Sequence, residues 1–273
     1  MNYIVTHPGP AHADDFIACC ILLGKGDFTH IERREPTQAE LDNPAIAVVD
    51  VGGLNDPDRM NFDHHQYQGG DAAFVLVLKH YGLYYGAIKV YNWVTAASLF
   101  DTRGPFILAE VLGCDHGAIL AMRSPIEKYI LELFVACGMV VQGTMLDIMR
   151  RIGRRMVGYI DKASTRLIVL AEIGQLSTHG DKRCVKSSLE DSPSLMLTEH
   201  CRMVGASISI CPDDRGGGWS LMRIDDDSDI DFAAIKDDPR VKFAHASGFI
   251  AKTVTRCSDL DLADLIAKSI KED

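Results

Sequence analysis

The sequence predicts an α/β protein: an N-terminal, mostly parallel sheet with helices on both faces, followed by a smaller α+β domain. Short β-branched runs alternate with helix-length segments through the first 105 residues. An extended helical stretch and a polar segment come next, and strand-like patterning returns after residue 206.

Residues 3–6 form a short run ending at His7, and the loop HPGPAH leads into a helix over 14–23 that Asp14 or its neighbours can cap. Residues 45–51, AIAVVDV, read as a buried strand stopped by Gly52-Gly53. A third strand, 59–62, ends at Asp63-His64-His65. Strands joined through helices pair in parallel, and such sheets bind ligands beyond the carboxyl ends of their strands. Helices are expected over 72–81, 92–99, 106–112 and 126–141, then a long helix over 143–172 interrupted by Gly153 and Gly158. Residues 177–194, rich in Ser, Lys and Asp, read as a linker. Beyond it, 206–211 and 219–224 flank a Gly216-Gly217-Gly218 turn as strands, followed by a strand at 241–244 and a helix over 259–270. The expected division is a ligand-bearing domain (1–142), a helical connection and linker (143–194) and a smaller domain (195–273).

Hydrophobic residues make up 47% of the 273 and charged ones 24%, which excludes a disordered or fibrous chain. The longest apolar run, 129–141, is broken by Glu132 and falls short of the roughly 20 residues of a membrane span, so a buried helix is expected there and no membrane partner. The start, MNYIVTHPGP, has neither signal-peptide nor transit-peptide character, and the cytoplasm is the expected compartment. Eight cysteines without a C-x-x-C pair, among them Cys19, Cys20 and Cys137 in apolar segments, read as reduced core thiols. A net charge of −10 argues against a broad basic surface for DNA, while leaving room for a local nucleic-acid cleft. No apolar stripe stands out as a subunit interface.

The chemistry is concentrated at strand ends. The first loop offers His7, His12, Asp14 and Asp15, the second strand ends at Asp50, and the third at Asp63-His64-His65. A mixed carboxylate and imidazole set suits Mn²⁺, with Mg²⁺, Co²⁺ or Zn²⁺ as alternatives, and it has enough ligands for two ions. Two ions about 3.5–4 Å apart activate a water and neutralise an attacked phosphoryl group, so phosphoester hydrolysis is the expected reaction. A lone Asp-His-His tripeptide would mean little; its pairing with an acidic strand end and an H-x4-H-x-D-D loop is the signal.

HPGPAHADD, VVDVGG, FDHHQ with KHYG at 79–82, and GWSLMRI and HASGFI near the other end together resemble the MYG family of metal-dependent hydrolases, described as RNA exonucleases. That family is similar to the DHH phosphoesterases, which include RecJ-type nucleases and manganese pyrophosphatases. The resemblance implies that His7, His12 and Asp14 are first-motif ligands, that Asp50 bridges both ions and that His64 binds the second. It also implies that Asp101, in SLFDTRGP, completes the set from a helix. His65 would face the phosphate to stabilise or protonate it, with Asp15 and Asp63 orienting the histidines or capping the helix. A water activated between the ions would attack, so no Ser or Cys nucleophile is needed. In the C-terminal domain His245, Ser247 and Gly248 would correspond to the glycine-rich substrate loop, their small neighbours letting backbone N–H groups approach a phosphate.

The implied activity is Mn²⁺-dependent phosphodiester hydrolysis on RNA or a short oligonucleotide, acting as an exonuclease. Hydrolysis of pyrophosphate or a nucleotide is the nearest rival, mildly favoured by the negative charge, and a non-catalytic metal-binding protein is the third. The acidic stretch 225–231 lacks the Gly and Glu of a calcium loop and reads as a solvated turn. Arg150, Arg151, Arg154 and Arg155 read as a solvated helix face paired with Asp147.

Overall fold

The computed structural model describes residues 2–67 and 69–271, and the chain divides into two compact units, Met1–Lys162 and Ala163–Asp273. The first contains β1 (Ile4–Thr6), α1 (Ala13–Lys25), β2 (Ile31–Arg33), α2 (Gln38–Leu41), β3 (Ala47–Val49), β4 (Asn55–Asp56) and β5 (Asn61–Phe62). Then come α3 (Ala73–His80), α4 (Tyr84–Val90), α5 (Trp93–Leu112), α6 (His116–Ala121), α7 (Pro125–Ala136), β6 (Val140–Val141) and α8 (Gly143–Ile173), within which the boundary falls.

The first sheet has the order β4-β5-β3-β1-β2-β6. Its four inner strands run parallel and the two edge strands antiparallel. Period-2 alternation in these strands sorts the side chains. Ile4, Ala47 and Val49 join a large core with Ile21, Leu22, Phe74, Phe134 and Met149, on the side of α1, α3, α7 and α8. Val5 and Val48 face a small cluster of Ile46, Val51, Tyr3 and Leu41. Helical cover is therefore unequal, because the connection from β2 to β3 is long enough only for the four-residue α2.

Residues 126–141 do not form one helix. α7 stops at Ala136, Gly138 takes φ 78°, and Val140–Val141 turns back to pair with β2; a left-handed glycine just past a helix end is a strong stop signal. Cys19 and Cys20 are buried as expected, whereas Cys137, at that helix end, is exposed. An apolar surface missed in the sequence also lies here. Phe106, Val111, Met122, Ile126, Tyr129 and Leu133 are all exposed, because α5 to α7 carry apolar residues on more than their core-facing side.

Gly153 does not interrupt α8. A Cβ there would stand 1.6 Å from the Cys20 carbonyl oxygen, and one on Gly24 would stand 2.5 Å from the Gly153 carbonyl carbon, so these two glycines let α1 and α8 cross backbone to backbone. Gly153→Ala is expected to destabilise the protein by about 3 kcal/mol or more, at the top of the overpacking range because backbone cannot yield. Gly158→Ala, which meets nothing within 4 Å, should instead gain roughly 0.5–1 kcal/mol of helix propensity. Urea denaturation of both variants checks the pair, and equal effects would contradict the close crossing. On the same helix, Arg150 donates to the Phe28 carbonyl (2.7 Å) as well as pairing with Asp147.

The second unit contains β7 (Gln175–His179), β8 (Lys182–Lys186), α9 (Leu197–Val204), β9 (Ile208–Pro212), β10 (Trp219–Arg223), β11 (Val241–Ala244), β12 (Ile250–Thr253) and α10 (Asp259–Ala267). Its sheet has the order β11-β12-β10-β9-β8-β7, antiparallel except for the β8–β9 pair that α9 connects. The segment 177–194 read as a linker is sheet in its first half: β7 and β8 form a hairpin, and Cys184 and Val185 are buried on opposite sides of it. The acidic stretch 225–231 is ion-paired rather than simply solvated. Asp225 pairs with Arg202, Asp226 with Arg223, and Asp227 and Asp229 with Lys182.

Candidate metal centre

Thr6, Val49 and Phe62 end three parallel strands in register, so the residues that follow them, His7, Asp50 and Asp63-His64, leave the sheet at one edge. From β1 the chain goes to β2 on one side and then to β3 on the other. His7 and Asp50 therefore flank the point where the strand order reverses, the place such sheets keep for ligands. Asp50 holds φ 57°, a left-handed conformation that Asp tolerates better than most side chains, with Gly52 and Gly53 also at positive φ behind it.

Two ligand groups form there, and within each the possible ligating atoms lie within 4.8 Å of one another: His7, His12 and Asp50, and Asp14, His64 and Asp101. Asp50 joins them, since its Oδ2 lies 3.6 Å from His7 Nε2 and its Oδ1 lies 3.1 Å from His64 Nε2. His64 Nε2 also faces Asp101 Oδ2 at 3.2 Å and Asp14 Oδ2 at 3.5 Å. Asp101 comes from the first half of α5, just before the helix is broken by Gly104 (φ 78°) and Pro105.

The polar atoms at this point are short of partners in a way that fits a cation. His7 Nδ1 lies 2.7 Å from the Pro8 carbonyl oxygen, which can only accept, so that nitrogen carries the proton. The ring's other nitrogen, Nε2, faces two carboxylates, Asp15 and Asp50, each 3.6 Å away. His7 Nε2, Asp15 Oδ2, Asp50 Oδ1 and His64 Nε2 are all buried without a hydrogen-bond partner among the described residues. Buried polar groups are normally satisfied, and divalent ions with oxygen and nitrogen ligands would satisfy those of His7, Asp50 and His64.

The electrostatics agree. Burial pushes the Asp14 carboxyl up to about 6 and that of Asp15 up to about 7, with Asp50 as a repelling neighbour of both. Burial acts in the opposite sense on the His64 imidazolium, yet Asp101, Asp14 and Asp50 together raise it to about 12. Bound protons here stand in for positive charge that the cluster of carboxylates demands.

Around the ligands the scaffold is tight. Asp14 accepts the N–H groups of Ala73 (2.8 Å) and Phe74 (2.7 Å), so it also caps α3, whose own N-cap residue is Ala72. Asp15 Oδ1 accepts the His12 N–H (2.7 Å). His65 is 64% exposed at its side chain, and its Nδ1–H donates to Asp63 Oδ1 (2.7 Å). Asp63 is fixed in turn by the N–H groups of Gly53 and His65, which outweigh its burial and hold its carboxyl below the usual range. Asp50, His64 and His65 form a third group of possible ligands.

A cavity of about 350 Å³ opens on His7, His12, Asp50, Asp63 and His65. It is also lined by Glu35, which the sequence reading missed although it follows β2 at the same sheet edge. Arg33 was missed too; buried, it donates to the Gly9 carbonyl (2.6 Å) and anchors the loop that carries His7 and His12.

His245, Ser247 and Gly248 belong to the other unit, in the turn between β11 and β12. The Ser247 N–H donates to His245 Nδ1 and the Gly248 N–H to the His245 carbonyl, which leaves neither amide free for a phosphate. Gly248 is required by packing: at φ 67°, its Cβ would fall 1.9 Å from Asp231 Oδ1.

Among known proteins, residues 3–81 match the MYG1 exonuclease family model, described as an uncharacterised protein family (UPF0160). The MYG1 exonucleases of Bos taurus and Homo sapiens are each 38% identical over 63 residues, 23% of this chain and 16% and 17% of theirs. The matched region is thus about a sixth of the relatives' length. An uncharacterized protein from Helicobacter pylori G27 aligns over 99% of both chains at 10% identity with a TM-score of 0.27, too low to bear on fold or function. Residues 3–81, the part that matches the MYG1 exonuclease family model, contain the whole His7, His12 and Asp50 group and all of the other except Asp101.

Proposed function

We propose that this chain is a divalent-metal-dependent phosphodiester hydrolase of the DHH phosphoesterase type, acting on RNA or short oligonucleotides from an end, with Mn²⁺ as its ion. The supporting observation is the pair of ligand groups joined through Asp50, with four unpartnered buried atoms between them. His7, His12 and Asp50 would hold one ion, and Asp14, Asp50, His64 and Asp101 the other. Two such ions supply an activated water and charge neutralisation for an attacked phosphoryl group. The chain's own groups do the rest. The Pro8 carbonyl fixes the His7 tautomer, α3 clamps Asp14, and Asp63 aims His65 so that its second nitrogen is free to contact the phosphate or protonate the leaving oxygen.

End-labelled single-stranded RNA and pyrophosphate, each offered to metal-stripped protein with and without Mn²⁺, test this reading against Asp50→Ala as control. Stepwise RNA shortening that needs both Mn²⁺ and Asp50 supports it. Phosphate release from pyrophosphate alone would move the chain to small phosphates, the reading that the net charge of −10 favours.

Metal and protons should compete. With carboxyls raised to about 6 and 7, the metal-free protein holds protons that its unfolded chain releases lower, so their stabilisation is complete below about pH 4 and is lost as pH rises through those values. Metal needs the same carboxylates deprotonated. The gap in melting temperature between Mn²⁺-loaded and chelator-treated protein should widen from about pH 5 to about pH 8. A constant gap would mean that Asp14 and Asp15 do not titrate with the metal.

A further inference from the structure

A second cavity of about 660 Å³ in the first unit includes His12, Asp14 and Asp101 in its lining, so it adjoins the candidate metal centre. Beyond those three residues its walls are mainly apolar, with rings from Phe74, Trp93 and Phe100. Ala97 of α5, facing the same space, leaves it open. Arg123 also lines it, with its guanidinium over the Phe100 ring at 5.1 Å from the centroid, and Glu127 accepts a hydrogen bond from Arg123 at 2.8 Å.

We propose that this cavity takes the base of the nucleotide whose phosphate is held at the metal centre, an inference that rests on the phosphodiesterase reading above. Its volume is that of a small-molecule site. Aromatic walls suit a flat heteroaromatic ring, and Arg123 and Glu127 provide a donor and an acceptor for its polar edge, which a simple acyl chain would leave unused. The adjacency to Asp14 and Asp101 fits an occupant that carries a phosphate, which an ion on those carboxylates would hold.

The test uses the full chain loaded with Mn²⁺ and compares calorimetric affinities for adenosine 5′-monophosphate and ribose 5-phosphate, which share a phosphate and a sugar and differ by the base. The mononucleotide is expected to bind about tenfold tighter or more, the scale of stacking one base on aromatic side chains. Ala97→Leu, which fills the cavity on a helix that tolerates Leu, should bring the mononucleotide down to the ribose 5-phosphate level and leave ribose 5-phosphate unchanged. Phe100→Ala should lose part of the same increment. Equal affinities in the unaltered protein would overturn the proposal, and so would an Ala97→Leu loss shared equally by both ligands. The readout is independent of turnover. Base-dependent affinity in a protein inert toward RNA removes the nuclease reading alone, and RNA shortening without base-dependent affinity removes the pocket alone.

Discussion

Asp50→Asn is expected to lower turnover roughly a thousandfold or more while making the metal-free protein harder to unfold. The substitution is nearly isosteric, and Asn accepts the left-handed φ of 57° at this position, so the turn after β3 should persist. In the absence of metal, Asp14, Asp15 and Asp50 are each less than 4% exposed and lie around two imidazoles, with Asp101 completing the ring of carboxylates about His64. Removing one of these charges relieves repulsion, a gain of about 1–2 kcal/mol out of the roughly 4 kcal/mol that like charges about 4 Å apart feel at an effective dielectric near 20. With Mn²⁺ present the order should reverse. The parent gains about 2.7 kcal/mol at a free ion concentration 100 times its Kd, and the variant, lacking the carboxylate that lies between the two ligand groups, gains far less. Melting curves in chelator and in Mn²⁺, with RNA hydrolysis alongside, read all three effects. Turnover within tenfold of the parent, or equal stabilisation by Mn²⁺, would remove Asp50 from the bridging position.

Much of this site was legible in the sequence because a parallel sheet delivers strand ends to one edge, and short apolar runs ending in His7, Asp50 and Asp63-His64 state that arrangement directly. Asp101 was not legible that way. It is carried by a helix with no fixed spacing to the strands, and only the family resemblance pointed to it. Nothing in the sequence shows that Asp14 serves α3 as well as the metal centre, because its partners, the Ala73 and Phe74 amides, lie about sixty positions away. Glu35 could have been found by applying the strand-end rule to β2.

The fold misreadings have similarly specific causes. β4 and β6 are two residues long, too short for any periodicity to register. In β8, K-R-C-V-K, charged residues flank the buried pair and imitate a polar linker. Gly153 has the composition of a helix break, and only the position of Cys20 in space shows it to be a contact. The exposed apolar residues of α5 to α7 look like core in a linear pattern, because periodicity reports which residues share a face and not whether anything covers it.

His65→Ala is expected to cut kcat by about 10²–10⁴, the usual worth of a positioned proton donor, while both ions remain bound. The geometry separates the two adjacent histidines. His64 is 7% exposed and turns its Nε2 to three carboxylates, whereas His65 is on the rim of the cavity with its Nδ1–H held by Asp63. A ring held at one nitrogen presents the other in a fixed direction, as an acceptor when neutral and a donor when protonated. His65→Gln, which keeps a donor without the acid function, should recover phosphate affinity and little of kcat. Asp63→Asn should act on the same step, since an amide can donate to the wrong ring nitrogen and release the orientation. The measurement is kcat for RNA together with Mn²⁺ stoichiometry by equilibrium dialysis. Because Asp50, His64 and His65 also lie close enough to share an ion, loss of one Mn²⁺ from His65→Ala would show that His65 is a ligand and that the roles of the two histidines must be exchanged.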